Sequence, residues 1–69
     1  MQLINNETLE TITEDASPEL RSAACDSDSP VLAWFSESRE RWELLDPSQE
    51  STMRMCRPEP RIVAVYGLP

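Results

Sequence analysis

The sequence predicts an α+β fold in which short N-terminal helices pack on a small C-terminal antiparallel sheet. Three observations carry that expectation. Leu9, Ile12 and Ala16 recur at helical spacing, Ser17-Pro18-Glu19 is a helix start, and the last third is rich in β-branched and alternating residues. With 69 residues the chain has room for one small domain, 1–69, with an acidic helical part over about 1–45 and a strand-rich part over about 46–69. A core of that size adds only a few kcal/mol net of chain entropy, so a partner or self-association is expected to add stability.

Each element has its own reason. Asn5 and Asn6 are good caps for a helix from about Glu7 to Ala16, which would carry Leu9, Ile12 and Ala16 on one side and Glu7, Glu10 and Glu14 on the other. Thr8, Thr11 and Thr13 weaken its intrinsic helicity, so packing must support it. Ser17-Pro18-Glu19 combines a hydroxyl N-cap, proline at the first position and an acid in the first turn, predicting a helix from Pro18 to about Cys25 that buries Leu20, Ala23 and Ala24. Asp26-Ser27-Asp28 forms an acidic turn, and Ser29-Pro30 repeats the start signal.

Val31–Leu45 admits two readings. As a helix, Val31, Trp34, Phe35, Trp42 and Leu45 form a stripe, supported by Glu37 with Arg41 and Arg39 with Glu43 at i,i+4. As a hairpin, Val31–Phe35 and Arg41–Leu45 are rich in strand formers, but Ser36–Glu40 holds no Gly, Asn or Pro for the turn. That absence favours the helix. After the turn signal Asp46-Pro47, Ser51–Arg57 alternates Met53 and Met55 with Thr52, Arg54 and Cys56 and reads as a strand. Pro58-Glu59-Pro60 links it to a second strand, Arg61–Tyr66, apolar on both faces.

Little in the chain points to chemistry. There is no histidine, which removes the commonest general base and metal ligand and every Ser-His or Cys-His pair. Gly67 is the only glycine, so no phosphate-cradling loop can form. Asp26-Ser27-Asp28 lacks the glycine and distal glutamate of a calcium loop. Cys25 and Cys56 stand 31 positions apart with no Cys-x-x-Cys, so Cys25 reads as a small core residue near a helix end and Cys56 as a strand side chain. Enzymatic activity, a cofactor and a resident metal are therefore not expected. Met1–Leu9 has neither a basic nor an apolar leader region, and the longest apolar runs have five residues, too short for a membrane span. The expected setting is the cytoplasm with reduced thiols.

Charge is the informative property. Residues 1–38 carry Glu7, Glu10, Glu14, Asp15, Glu19, Asp26, Asp28 and Glu37 against Arg21 alone, whereas residues 39–69 carry five acids and five arginines. The whole net charge of −7 thus sits in the first part. Those eight carboxylates are the candidate partner-binding residues. Such a field attracts basic surfaces and repels nucleic acid and anionic membranes. The plain alternative is a solvated surface that keeps the chain soluble.

A tiny acidic chain without catalytic residues resembles, in size and charge and not through any motif, the small phage-encoded inhibitors of the anti-CRISPR and anti-restriction type that imitate DNA. The resemblance implies a partner: a protein or nucleoprotein complex in the host cytoplasm whose basic DNA- or RNA-binding groove is blocked. The competing expectation is a structural or regulatory module, such as an antitoxin or accessory subunit, that docks through an exposed patch around Trp34, Trp42 or the methionines. A homodimer stays open under either reading.

Overall fold

A computed structural model describes all of residues 1–69. Strands β1 (Gln2–Asn5), β2 (Val31–Ser36), β3 (Arg41–Leu44) and β4 (Ile62–Leu68) form one antiparallel sheet in the order β1-β4-β2-β3. Helix α1 (Pro18–Asp26) lies between β1 and β2 in the chain, and the short helix α2 (Glu50–Arg54) between β3 and β4. The fold is therefore α+β, but the expected arrangement by terminus is corrected. Three strands fall before residue 45, and α2 falls after it.

The helix expected over Glu7–Ala16 is absent. Buried Asn5 uses its side-chain oxygen to accept the N–H groups of Glu7 (2.9 Å) and Thr8 (3.3 Å), turning the chain where the helix would begin. Leu9 then takes a positive φ of 65°. The following segment runs back along β1: Asn5 N–H donates to the Glu10 carbonyl, Ile12 N–H to the Leu3 carbonyl, and Leu3 N–H to Thr13 Oγ1. Threonines that weaken a helix here serve a sheet edge. A single 3-10 turn follows over Thr13–Asp15.

Helix α1 forms where its local signals place it. Ser17 Oγ accepts the Leu20 N–H at 3.2 Å, Pro18 occupies the first turn, and the helix buries Leu20 and Ala24. It packs across β3, β4 and β2. A β-carbon on Gly67 would stand 3.2 Å from the Ala24 carbonyl oxygen, so the missing side chain lets α1 lie close on β4.

Residues 31–45 are the hairpin rather than the favoured helix. Phe35 pairs with Trp42 across β2 and β3, their rings meeting edge-on at 5.2 Å. The turn without glycine closes because Glu40 itself adopts φ 55° and Ser36 Oγ accepts the Arg39 N–H. The expected strand over Ser51–Arg57 is also corrected. Asp46 accepts the Ser48 N–H with its side chain, Pro47 opens a 3-10 turn over Pro47–Gln49, and α2 continues it, held by an Arg54–Glu50 pair at i,i+4. Met53 is half-buried and Met55 76% exposed, so the two methionines do not share a sheet face.

Directly paired residues share a face of an antiparallel sheet. One face therefore carries Leu3, Ala33, Phe35, Trp42, Val63 and Val65, which meet Ile12, Ala16, Leu20 and Ala24 in one core. The other face carries Leu32, Trp34, Ile62, Ala64 and Tyr66, all half-buried. Strand β4 is apolar on both faces, as its composition predicts, but only its core face is covered by a helix; Ile62, Ala64 and Tyr66 on the other face are half-buried.

Two outcomes follow. Glu40→Gly relieves the left-handed backbone and should raise stability by up to about 1 kcal/mol, read from the urea midpoint. The two Ser48 hydrogen bonds hold the Asp46 carboxyl below its ordinary 3.8. A lowered folded-state pKa adds stability above the ordinary value, lost as pH falls through the folded one. Asp46→Asn should therefore be less stable than the parent near neutrality and show a shallower loss below about 3.8, in urea melts across the acid range.

Candidate functional site

The turn after β1 carries Glu7, and the segment along its outer edge carries Glu10. Glu14 and Asp15 form most of the 3-10 turn, and Glu19 follows in the first turn of α1. Asp26 ends α1, Asp28 lies in the turn to β2, and Glu37 starts the β2–β3 turn. All eight are exposed. The structure groups Glu14, Asp15 and Glu19 at one junction and Asp26 with Asp28 at the far end of α1. Glu37 stands apart, at the opposite end of the sheet from the α1–β2 turn. Glu7 and Glu10 do not share a helix face with Glu14, because that helix does not exist.

None of the eight forms an ion pair, although Glu7 shares an open pocket with Arg54 and Arg61 and Glu37 one with Arg61. The three ion pairs of the molecule, Arg39–Glu43, Arg41–Glu43 and Arg54–Glu50, all lie in the neutral part of the chain. Arg21, the one cation among residues 1–38, donates from its guanidinium to the Thr13 backbone carbonyl at 2.7 Å. Its charge lies beside the 3-10 turn but in no ion pair. Glu19 suits the positive end of α1, whereas Asp26 occupies the negative end, with no basic residue in the last turn. Asp26 therefore opposes the fold it stands on.

Arg54, Arg57 and Arg61, around α2 and the start of β4, are engaged locally. Arg54 holds Glu50, Arg57 donates to the backbone carbonyls of Arg54 and Cys56, and Arg61 sits over the Trp42 ring at 5.1 Å. Trp42 is buried, whereas Trp34, Phe35 and Tyr66 are half-buried. An aromatic docking patch built on Trp42 is thereby excluded. Cys25 is free and exposed, which corrects its reading as a core residue, and Cys56 is free and exposed in the bend after α2 and not on a strand. No three His, Cys, Asp or Glu side chains converge on a point where a metal ion could sit.

One surface feature had no sequence signal. Where β2 begins and β3 ends, Pro30, Val31, Leu32, Leu44, Leu45 and Pro47 line an open groove of about 390 Å³, and Asp46 is its only charged lining residue. Leu44 is 39% exposed there. The groove joins residues from two strands and a 3-10 turn, and its existence depended on the hairpin that the sequence left open.

Uncompensated acids repel one another, so removing one should stabilise the free chain. Asp26→Lys is expected to raise stability by about 0.3–1 kcal/mol at low ionic strength, with the gain shrinking as salt is added. Thermal melts at two ionic strengths check this. The chain matches no protein-family model, and no curated protein or solved structure matches it.

Proposed function

We propose that this chain is a small, non-enzymatic binding protein that inhibits a nucleic-acid-handling complex by occupying the complex's basic DNA- or RNA-binding groove. The observation that supports this reading is the set of eight exposed carboxylates without an ion-pair partner. The longest dimension of the molecule is 35 Å. The acids stand in separate groups over that length, Glu14, Asp15 and Glu19 at one end of α1 and Asp26 with Asp28 at the other, so the likeness to nucleic acid is one of charge and not of a phosphate-like row. A groove lined with Lys and Arg meets clusters of negative charge here. The acids reach it on a folded scaffold, so little ordering cost attends docking.

The chemistry of such an encounter is electrostatic. Association is steered by opposite fields, is fast at low salt, and displaces nucleic acid by competition for the same cations. Neither nucleic acid nor an anionic membrane is itself a favourable partner for a chain of net charge −7. A second reading, a module that docks mainly through apolar surface, is favoured by one observation, the exposed Leu44 beside its groove.

The test uses a labelled duplex bound to a purified RNA-guided nuclease or restriction endonuclease. Titration with the chain should displace the duplex, less effectively as salt rises. Reversing Glu14, Asp15 and Glu19 to Lys together should weaken displacement by at least about tenfold, equivalent to about 1.4 kcal/mol. Displacement that ignores both salt and those reversals overturns the reading.

A further inference from the structure

The two outer edges of the sheet are treated differently. The edge of β1 is closed by the returning chain: Asn5 and Ile12 make backbone bonds across it and Thr13 supplies a hydroxyl. The edge of β3 is closed at one place only, where Ser17 N–H donates to the Trp42 carbonyl at 2.8 Å. Leu45 N–H donates inward to the Leu32 carbonyl. By the alternation of an antiparallel ladder, Trp42 and Leu44 both turn their backbone groups away from β2. No hydrogen bond meets the outward N–H and C=O of Leu44. The same residue exposes its side chain to the apolar groove, and no arginine lines that groove. A free strand edge and an apolar pocket therefore coincide at one residue, with Asp46 beside it and Asp28 two residues before Pro30, both outside every ion pair.

We infer that the β3 edge at Leu44 is a docking site for an extended segment of a basic partner, in which apolar residues alternate with Lys or Arg. The segment adds a strand at Leu44, sets an apolar side chain into the groove beside Val31 and Pro47, and directs its cations to Asp46 and Asp28. Main-chain bonds supply affinity and the groove supplies register, as in other strand-addition complexes. Charge selects against a second copy of this chain as occupant, since two bodies of −7 repel. The inference rests on the reading of the partner as basic, and it adds a fixed point of attachment to an otherwise diffuse attraction.

The experiment follows backbone amide shifts of the full chain by NMR with three probes: a short alternating Leu–Lys peptide, its backbone N-methylated form, and an oligolysine of equal charge. The alternating peptide should shift the amides of Val31, Leu44 and Leu45 and bind at least about tenfold more tightly than the other two. Leu44→Ser, which changes an exposed position, should remove that advantage while leaving the melting temperature close to the parent's. If all three probes bind equally, or the shifts fall elsewhere, the docking site is overturned while the acidic-surface reading stands. Binding of the alternating peptide at Leu44 that ignores salt overturns the basic-partner reading and with it the choice of occupant. Concentration-dependent dimerisation abolished by Leu44→Ser assigns the edge to a second copy and overturns the proposal.

Discussion

The hydrogen bond from Ser17 N–H to the Trp42 carbonyl ties together most of what this small molecule has. Ser17 also caps α1 through its hydroxyl, so the helix begins where the edge of β3 is held. Trp42 meets Phe35 on its own sheet face and lies under the Arg61 guanidinium, which precedes β4. One contact thus fixes helix start, hairpin and central strand relative to one another. Ser17 is fully buried and Trp42 4% exposed, so the bond is shielded from water and its loss would strand two polar groups. A chain of this length has little redundancy, and losing Trp42 would remove a large share of the core.

That concentration of structure leaves the rest of the surface free to carry charge. The ion pairs stand in the second part of the chain, where they offset a balanced set of acids and arginines. No acid of residues 1–38 forms an ion pair, and Asp26 opposes the dipole of the helix that bears it. Repulsion among like charges costs stability in the free protein and yields it back only against an opposite field. The proposed interaction gives that surface its opposite field.

How much of this was legible depended on how local each signal is. Helix α1 was readable because its cap, first-turn proline and apolar spacing all lie within nine residues of one another. The hairpin was not, because its turn relies on Glu40 adopting a backbone that glycine usually supplies, and on a Phe35–Trp42 pairing that sequence spacing does not reveal. Strand β1 has four residues and makes sense only beside β4, which begins 57 residues after β1 ends (62 − 5), about 190–205 Å of fully extended chain. The helix expected at Glu7–Ala16 had genuine helical spacing, but Asn5 diverts the chain first. Methionine alternation over Ser51–Arg57 imitated a strand, whereas the Asp46-Pro47 start signal carried into α2. The identities of the acidic residues were plain in the sequence. Their arrangement was not, since it follows from tertiary contacts.

The open edge at Leu44 and the surplus of carboxylates belong to one physical argument. An unpaired strand edge beside apolar side chains is a hazard in any small protein, because another copy of the same edge can pair with it. Natural sheets blunt such edges with charge or cover them, and β1 here is covered. At β3 the cover stops one residue pair short, and Asp46 follows immediately. With a net charge of −7, each copy repels the next before their edges meet. In the proposed docking, the same field draws in a strand that brings cations. One electrostatic term then opposes self-association and selects a basic partner.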